Sequence, residues 1–134
     1  MIPDGLITHA CRFDPKVTMD RFAAAVARQG MTIFARIDHA AAAHQAGLSM
    51  EPAEVLIFGA AQAGTPLMRA APTMAIDLPL KALAWRDGSS TNWLSYNDPA
   101  WLARRHGLGD QTGAILEAMS LRLDTVAAEA AANS

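Results

Sequence analysis

The pair Asp38-His39 is the part of this sequence best suited to acid–base chemistry. A carboxylate that accepts a hydrogen bond from an imidazole orients the ring and raises its basicity, as a general base requires. The pair comes at the end of a predicted strand, residues 31–38. However, adjacent residues usually point in different directions, and Asp38 is also a good N-cap for a helix that begins at His39. Both interpretations stay open: a catalytic pair, or a helix cap beside a histidine of the first turn.

A second candidate is the glycine-containing segment from Gly59 to Thr65, between a predicted buried strand (residues 54–58) and a predicted helix. Its spacing approaches the phosphate-loop pattern, but the lysine of that pattern is absent, which argues against a nucleotide triphosphatase. Thr65 is predicted to cap the helix, with Pro66 at its first position. The N–H groups at such a helix start can bind a small anion. The alternative is a loop whose glycines simply permit a sharp turn.

A third group of polar residues surrounds the predicted hairpin of residues 80–86 and 91–96. Asp77 and Lys81 flank a proline, and Tyr96-Asn97 ends the hairpin. These side chains can line a polar pocket, or they can form a local ion pair beside a packed phenol. Because loops bring these polar groups among apolar neighbours, we predict one ligand-binding site built from Asp38, His39, Thr65, Asp77, Lys81, Tyr96 and Asn97.

Neither a metal nor a cofactor is predicted. The four histidines lack metal-ligand spacing: His39 and His44 are five apart, whereas four would place both on one helical face. Only His39 with residues distant in sequence could bind a metal or haem. Cys11 is the single cysteine, which excludes an intrachain disulfide and a thiolate zinc cage.

The elements that would position these residues follow from local patterns. Thr18 is predicted to cap a helix over residues 19–29, and residues 31–38 alternate as in a strand with one face in the core. Asp98 and Asp110 are predicted to cap the last two helices. Strands follow one another without regular βαβ alternation, which indicates an α+β fold. We therefore predict one domain with a four- to five-stranded, mostly antiparallel sheet and helices packed on one side.

Composition limits the classes of partner. The chain has 134 residues, a net charge of −2 and 51% hydrophobic residues, which is typical of one globular domain. It has no basic stripe that could neutralise a phosphate backbone, so nucleic acid is not an expected partner. It begins with no signal-peptide pattern and has no apolar run of membrane-spanning length. We therefore expect a cytoplasmic protein without a membrane partner.

Several stretches together resemble a known family. They are residues 30–39 (GMTIFARIDH), 56–59 (LIFG), 64–68 (GTPLM), 76–81 (IDLPLK), 93–99 (WLSYNDP) and 105–107 (RHG). In this order they are similar to the domain-of-unknown-function family 302 (DUF302), over nearly the whole chain. The resemblance implies a bacterial protein with a TATA-binding-protein-like α+β fold, in the order strand, helix, four strands, helix, with short helical insertions. It also implies homodimers, but no reaction. Ala60-Ala61-Gln62 departs from the Asn-Pro-Lys common in the family.

These observations leave three hypotheses about function. The first is a homodimeric domain that binds a small molecule or anion without established catalysis. The second is an acid–base or hydrolytic enzyme that uses Asp38 and His39, which requires the imidazole to lie within hydrogen-bond reach of a carboxylate in a cleft. The third is a structural or partner-binding module.

Overall fold

A single antiparallel sheet organises the molecule. The structure is a computed structural model and describes residues 2–132. Every pair of neighbouring strands is antiparallel, and the strand order is β1-β5-β4-β3-β2. This confirms the α+β prediction and gives a sheet of five strands within the described residues. The strands are β1 (Leu6–Ala10), β2 (Thr32–Asp38), β3 (Ala53–Gly59), β4 (Leu80–Arg86) and β5 (Asn92–Asn97).

The helices cover one face of this sheet. Leu56 and Phe58 of β3, Ala82 of β4 and Leu94 of β5 all point to that face, where they are fully or almost fully buried. Side chains alternate between the faces of a strand, so the other face carries the residues between them. The predicted arrangement of helices on one side is confirmed. The helices are α1 (Pro15–Arg28), α2 (His39–Gln45), α3 (Ala61–Ala70), α4 (Pro99–Arg105) and α5 (Gly113–Ala131), with short 3-10 helices at Pro72–Ile76 and Asp110–Thr112.

The core lies between the sheet and the two longest helices. Phe22 of α1 meets Phe58 of β3 edge to face, with their ring centroids 5.3 Å apart. Val26 of α1 and Leu123 and Val126 of α5 are buried in the same cluster. Burial of each such side chain contributes roughly 1.5–3 kcal/mol. This packing fixes α5 against α1 and the sheet.

The first helix begins earlier than predicted. Asp14 is its N-cap, and its Oδ1 accepts a hydrogen bond from the backbone N–H of Val17 at 2.9 Å. Pro15 occupies the first turn, where its fixed φ favours a helix and its missing N–H costs nothing. Thr18 is therefore buried inside the helix and caps nothing, so that prediction was wrong. Gly30 follows the helix with a φ of 78°, as a left-handed terminating residue should.

Strand β2 differs from its predicted pattern. We predicted that Met31, Ile33, Ala35 and Ile37 share one core face, but the register shifts between Ile33 and Ala35. Such a bulge adds a residue to one strand and changes the face on which the following side chains lie. Arg36 is consequently opposite Leu56, on the helix-covered side. The strand is also at the sheet edge, so Ile33 and Ile37 remain 41% and 39% exposed.

Two helix starts were also mislocated. The helix predicted to begin at Thr65 begins at Ala61, so Thr65 is internal and no side chain caps its start. Alanine is the strongest helix former, so the alanines after the turn extend the helix backward. In the last helix, Asp110 belongs to a 3-10 turn, and α5 starts at Gly113 without a side-chain cap.

Candidate functional site

The side chains of Asp38 and His39 are not hydrogen-bonded to each other. Asp38 Oδ1 accepts a hydrogen bond from the backbone N–H of Ala41 at 2.9 Å and caps α2. His39 is exposed, and its side chain has no hydrogen bond or ion pair within residues 2–132. The helix-cap interpretation therefore describes this segment, and the geometry that the acid–base hypothesis requires is not present.

Asp38 is also far from the other predicted site residues. It pairs with Glu54 at the start of β3, whereas Thr65 and Asp77 follow the opposite end of that strand. A strand of seven residues extends roughly 20 Å. Successive antiparallel strands place their connections at alternate ends of the sheet, so the segments after β2 and after β3 cannot meet. The expectation of one shared hollow was wrong for this reason.

Lys81, Tyr96 and Asn97 lie near the Thr65 end, but on different faces of the sheet. Tyr96 is on the helix-covered face, where its ring stacks on His9 with centroids 5.9 Å apart. Lys81 is on the open face, and its Nζ donates to the carbonyl of Pro79 at 3.3 Å. Asn97 is on that open face as well, because side chains alternate along the strand.

Tyr96 and the single cysteine are both poorly suited to reactivity. Burial, together with the carboxylates of Asp124 and Asp98, raises the pKa of Tyr96 to about 12. Burial also raises the pKa of the Cys11 thiol, against a smaller lowering by a hydrogen bond with Thr18. A phenol and a thiol that hold their protons are neither bases nor nucleophiles near neutral pH.

Asp77 belongs to a hydrogen-bonded cluster that the sequence did not predict. Its Oδ2 is 2.8 Å from Nη1 of Arg105 and 2.5 Å from Nε2 of His106. The other ring nitrogen of His106 is 2.8 Å from the hydroxyl of Thr73. Asp77 therefore pairs with Arg105 and His106 and not, as was anticipated, with Lys81. These contacts connect the 3-10 helix Pro72–Ile76 to the end of α4. Residues 105–107 are among the stretches that resemble the family, and this resemblance could have pointed to the cluster.

Two adjoining cavities form a groove beside the segment between β3 and α3. The larger has a volume of about 500 Å3 and the smaller about 210 Å3. Ala60, Leu80 and Met119 line both cavities, so the two are neighbours that share these side chains. We call the pair of cavities the groove. Further residues of the larger cavity are Gly30, Met31, Gln62, Ala63, Ile115, Ala118, Arg122 and Leu123, and of the smaller Phe34, Gly59, Ala61, Gly64, Thr65, Met68, Leu78 and Pro79.

The predicted site residues are divided among separate hollows. Thr65 lines the groove, whereas Asp38 lines a different hollow beside α2. Lys81, Tyr96 and Asn97 border a small depression beside β4 and β5. The sequence thus located one lining segment, residues 59–65. It missed the contribution of α5, because nothing in the periodicity of a helix shows which distant loop it will face.

The groove is mainly apolar, with one charge. Arg122 is the only charged side chain among its lining residues, and it has no ion pair within residues 2–132. Ala60 and Ala61, at the uncapped start of α3, line the smaller cavity. The start of a helix carries a partial positive charge, which adds to that of Arg122. In the described part of the chain, no three His, Cys, Asp or Glu side chains are grouped as a metal site would need.

The fold and the groove define a small, helix-covered α+β domain, and comparison with known proteins gives its class. Residues 7–126 match DUF302, a domain of unknown function, and the chain belongs to this family. The crystal structure of a conserved DUF302 protein from Bacillus stearothermophilus is similar, with a TM-score of 0.83. The similarity covers 96% of this chain and 99% of that one, at 14% sequence identity. At that identity, the likeness establishes the shared fold.

Relatives with much higher identity carry a functional name. The chain is 46% identical over 131 residues to the protein named fluoride-specific ion channel FluC 1 of Brucella suis biovar 1, and equally to FluC 1 of Brucella abortus and FluC 2 of Brucella melitensis. The matched region is 98% of this chain but 52% of the first protein and 48% of the other two. The chain therefore spans about half the length of these relatives.

These names correct one expectation. We expected no membrane partner, but a closely similar chain forms about half of proteins that are named as ion channels. The composition of this chain alone did not indicate a relation to proteins named as channels. Within residues 2–132, no helix combines the length and the apolar character needed to cross a bilayer.

Proposed function

We propose that this domain binds a small organic molecule in the groove. The observation that carries the proposal is that two cavities of about 500 and 210 Å3 adjoin along Ala60, Leu80 and Met119. Sites for small molecules are typically mainly apolar clefts of roughly 300–1,000 Å3 with a few polar groups. The groove has this size and this composition.

Binding without catalysis is the better interpretation of the lining. General acid–base catalysis needs a side chain that exchanges a proton near the operating pH. Among the lining residues only Arg122 is charged, and a guanidinium does not release its proton in proteins. Asp38 and His39, on which the enzyme hypothesis depended, line neither cavity of the groove.

The test uses a neutral apolar fluorophore, N-phenyl-naphthylamine, and a variant that fills the groove. Ala118 is exposed on α5 and lines the larger cavity, so Ala118→Trp should occupy the cavity without disturbing the core. Ala128→Trp is the matched control, because Ala128 is exposed on the same helix but does not line the groove. We expect the protein and the control to enhance the fluorescence at micromolar concentration, and Ala118→Trp to lose the enhancement. Equal binding by all three would refute the proposal.

A second proposal concerns the channel relatives: we propose that the domain accompanies an ion channel and modulates it. The identity of 46% to half of each Brucella protein supports this. Fluoride efflux from liposomes that contain the Brucella suis protein should change when the fluorophore saturates its groove. Efflux that is the same at every fluorophore concentration would count against modulation through the groove.

We further propose a cytoplasmic homodimer. The open sheet face carries Leu83, Trp85 and Trp93, which are only partly buried, and a second copy of the chain would cover them. The single thiol of Cys11 suits a reducing compartment. Light scattering should give twice the mass of the chain for the native protein and the monomer mass for Leu83→Arg. A monomeric native protein at micromolar concentration would refute the dimer.

A further inference from the structure

The charge in the groove restricts the chemistry of the ligand. We infer that the groove takes an organic carboxylate or a similar monoanion with an apolar body, with the anionic group at Arg122 and the body in the smaller cavity. This inference rests on the proposed function, since it names the ligand class of the same site.

Arg122 is unpaired within residues 2–132, unlike Arg36 and Arg105. Arg36 donates to Glu54 at 2.7 Å and lies 2.8 Å from Asp20, and Arg105 donates to both oxygens of Asp77. Arg122 has no such acceptor within residues 2–132, although it borders the larger cavity. A guanidinium presents its N–H groups as a planar fork that matches a carboxylate, so an anion is the complementary occupant.

The opposite end of the groove is complementary to an apolar body. Met68, Leu78 and Met119 line the smaller cavity, and Phe34 stands at its border with 60% of its surface exposed. Thr65 supplies the only side-chain hydroxyl there. Methionine side chains are flexible and polarisable, so they adapt to varied apolar shapes. A ligand that covered Phe34 would remove apolar surface from water, which is favourable.

The two ends are neighbours. Ala60, Leu80 and Met119 line both cavities, so a ligand that extends across these side chains would contact the apolar end and the Arg122 end together. No carboxylate is among the lining residues of either cavity. An anion in the groove is therefore attracted by Arg122 and is not repelled by any carboxylate of the lining.

Two fluorophores that share one body test the inference. Anilinonaphthalene sulfonate is the sulfonated form of N-phenyl-naphthylamine, so the pair differs by one negative charge. We expect the native protein to bind the anion roughly two-fold to five-fold more tightly than the neutral compound, as expected for an exposed charge pair. Arg122→Gln should lower the ratio of the two affinities to about one, whatever its effect on each affinity taken alone. High salt should weaken the preference by screening.

Arg104→Gln is the control, because Arg104 is an exposed arginine of α4 that does not line the groove. It should retain the preference for the anion. If Arg122→Gln keeps the native ratio of affinities, the inference fails while the proposed function stands. If the native protein binds neither fluorophore, the proposed function itself fails, and the inference with it.

Discussion

The imidazole Nε2 of His106 lies 2.5 Å from the carboxylate Oδ2 of Asp77. The contact joins the segment before β4 to the end of α4, and both side chains are largely withdrawn from solvent, with exposed fractions of 6% for His106 and 16% for Asp77. A carboxylate in such a place acts as the common acceptor for its neighbours. The Asp77 carboxylate should therefore contribute to the stability of the fold, which its position in the sequence does not suggest.

Replacement of Asp77 by alanine should destabilise the fold. The change leaves the buried imidazole and the Arg105 guanidinium without their acceptor, and a loss of about 1–3 kcal/mol in the free energy of unfolding is expected. Urea unfolding followed by circular dichroism measures it. Asp110→Ala, at an exposed aspartate without a side-chain hydrogen bond in residues 2–132, is the control. An Asp77→Ala protein as stable as the control would show that the cluster contributes nothing.

Arg36 and Glu54 form a second testable pair. The side chain of Glu54 is 10% exposed, and Arg36 Nε donates to its Oε1 at 2.7 Å. Burial acts to lower the pKa of Arg36, but the hydrogen bonds and charges of Glu54 and Asp20 outweigh it and raise that pKa. Arg36→Met should leave a largely buried carboxylate unpaired and cost about 2–3 kcal/mol in urea unfolding.

The double variant Arg36→Met with Glu54→Leu distinguishes two causes of lost stability: an unpaired buried charge and the loss of side-chain packing. Removal of both partners leaves no buried charge, so much of the stability lost in Arg36→Met should return. Additive losses in the two single variants and the double variant would contradict an interaction between the two charges.

The phenol of Tyr96 should ionise only at a pH well above the pKa of a free phenol. Tyr96 is the only tyrosine, so an ultraviolet titration of the native protein reports it alone. Its pKa of about 12 compares with 10 for a free phenol, because burial and the carboxylates of Asp124 and Asp98 disfavour the phenolate. The native state then holds a proton that the unfolded state releases, so stability from this group is complete below pH 10 and falls as the pH rises toward 12. A native midpoint near 10 would contradict this burial.

Gly5 should not tolerate a side chain. Its φ is +80°, and a Cβ built there would lie 2.4 Å from the ring of Trp101 on α4. Gly5→Ala should therefore strain the backbone and displace the indole, with an expected loss of about 2 kcal/mol or more. Gly88→Ala is the matched control, because a Cβ at Gly88 meets nothing within 4 Å and its φ is not in the left-handed region. Equal thermal midpoints for the two variants would refute the contact.

The sequence predicted elements better than it predicted their assembly. The helix cap at Asp38, the hairpin of β4 and β5 and the helix after Asp98 follow local rules, since each depends on residues within a few positions. The bulge near Ile33 could not be predicted, because it depends on how β2 pairs with β3. One extra residue there moved Arg36 to the helix-covered side.

The residues of the predicted site lie in separate hollows. The prediction grouped polar residues by type and not by their place in the fold. Asp38 and Thr65 both follow strands, but the antiparallel order sends them to opposite ends of the sheet. Arg122 has no motif around it, and only its position on α5 relative to Ala60 brings it to the groove. The family-like stretches identified the fold, which is a property of the whole pattern, whereas the site depends on a few contacts between segments distant in sequence.

The two walls of the groove come from parts of the chain that are distant in sequence. Met119 and Arg122 come from α5, and Ala60 and Thr65 come from the turn and helix after β3. A ligand that contacts both walls would add to the contacts that hold α5 against the rest of the fold. Its binding should therefore raise the free energy of unfolding as its concentration increases.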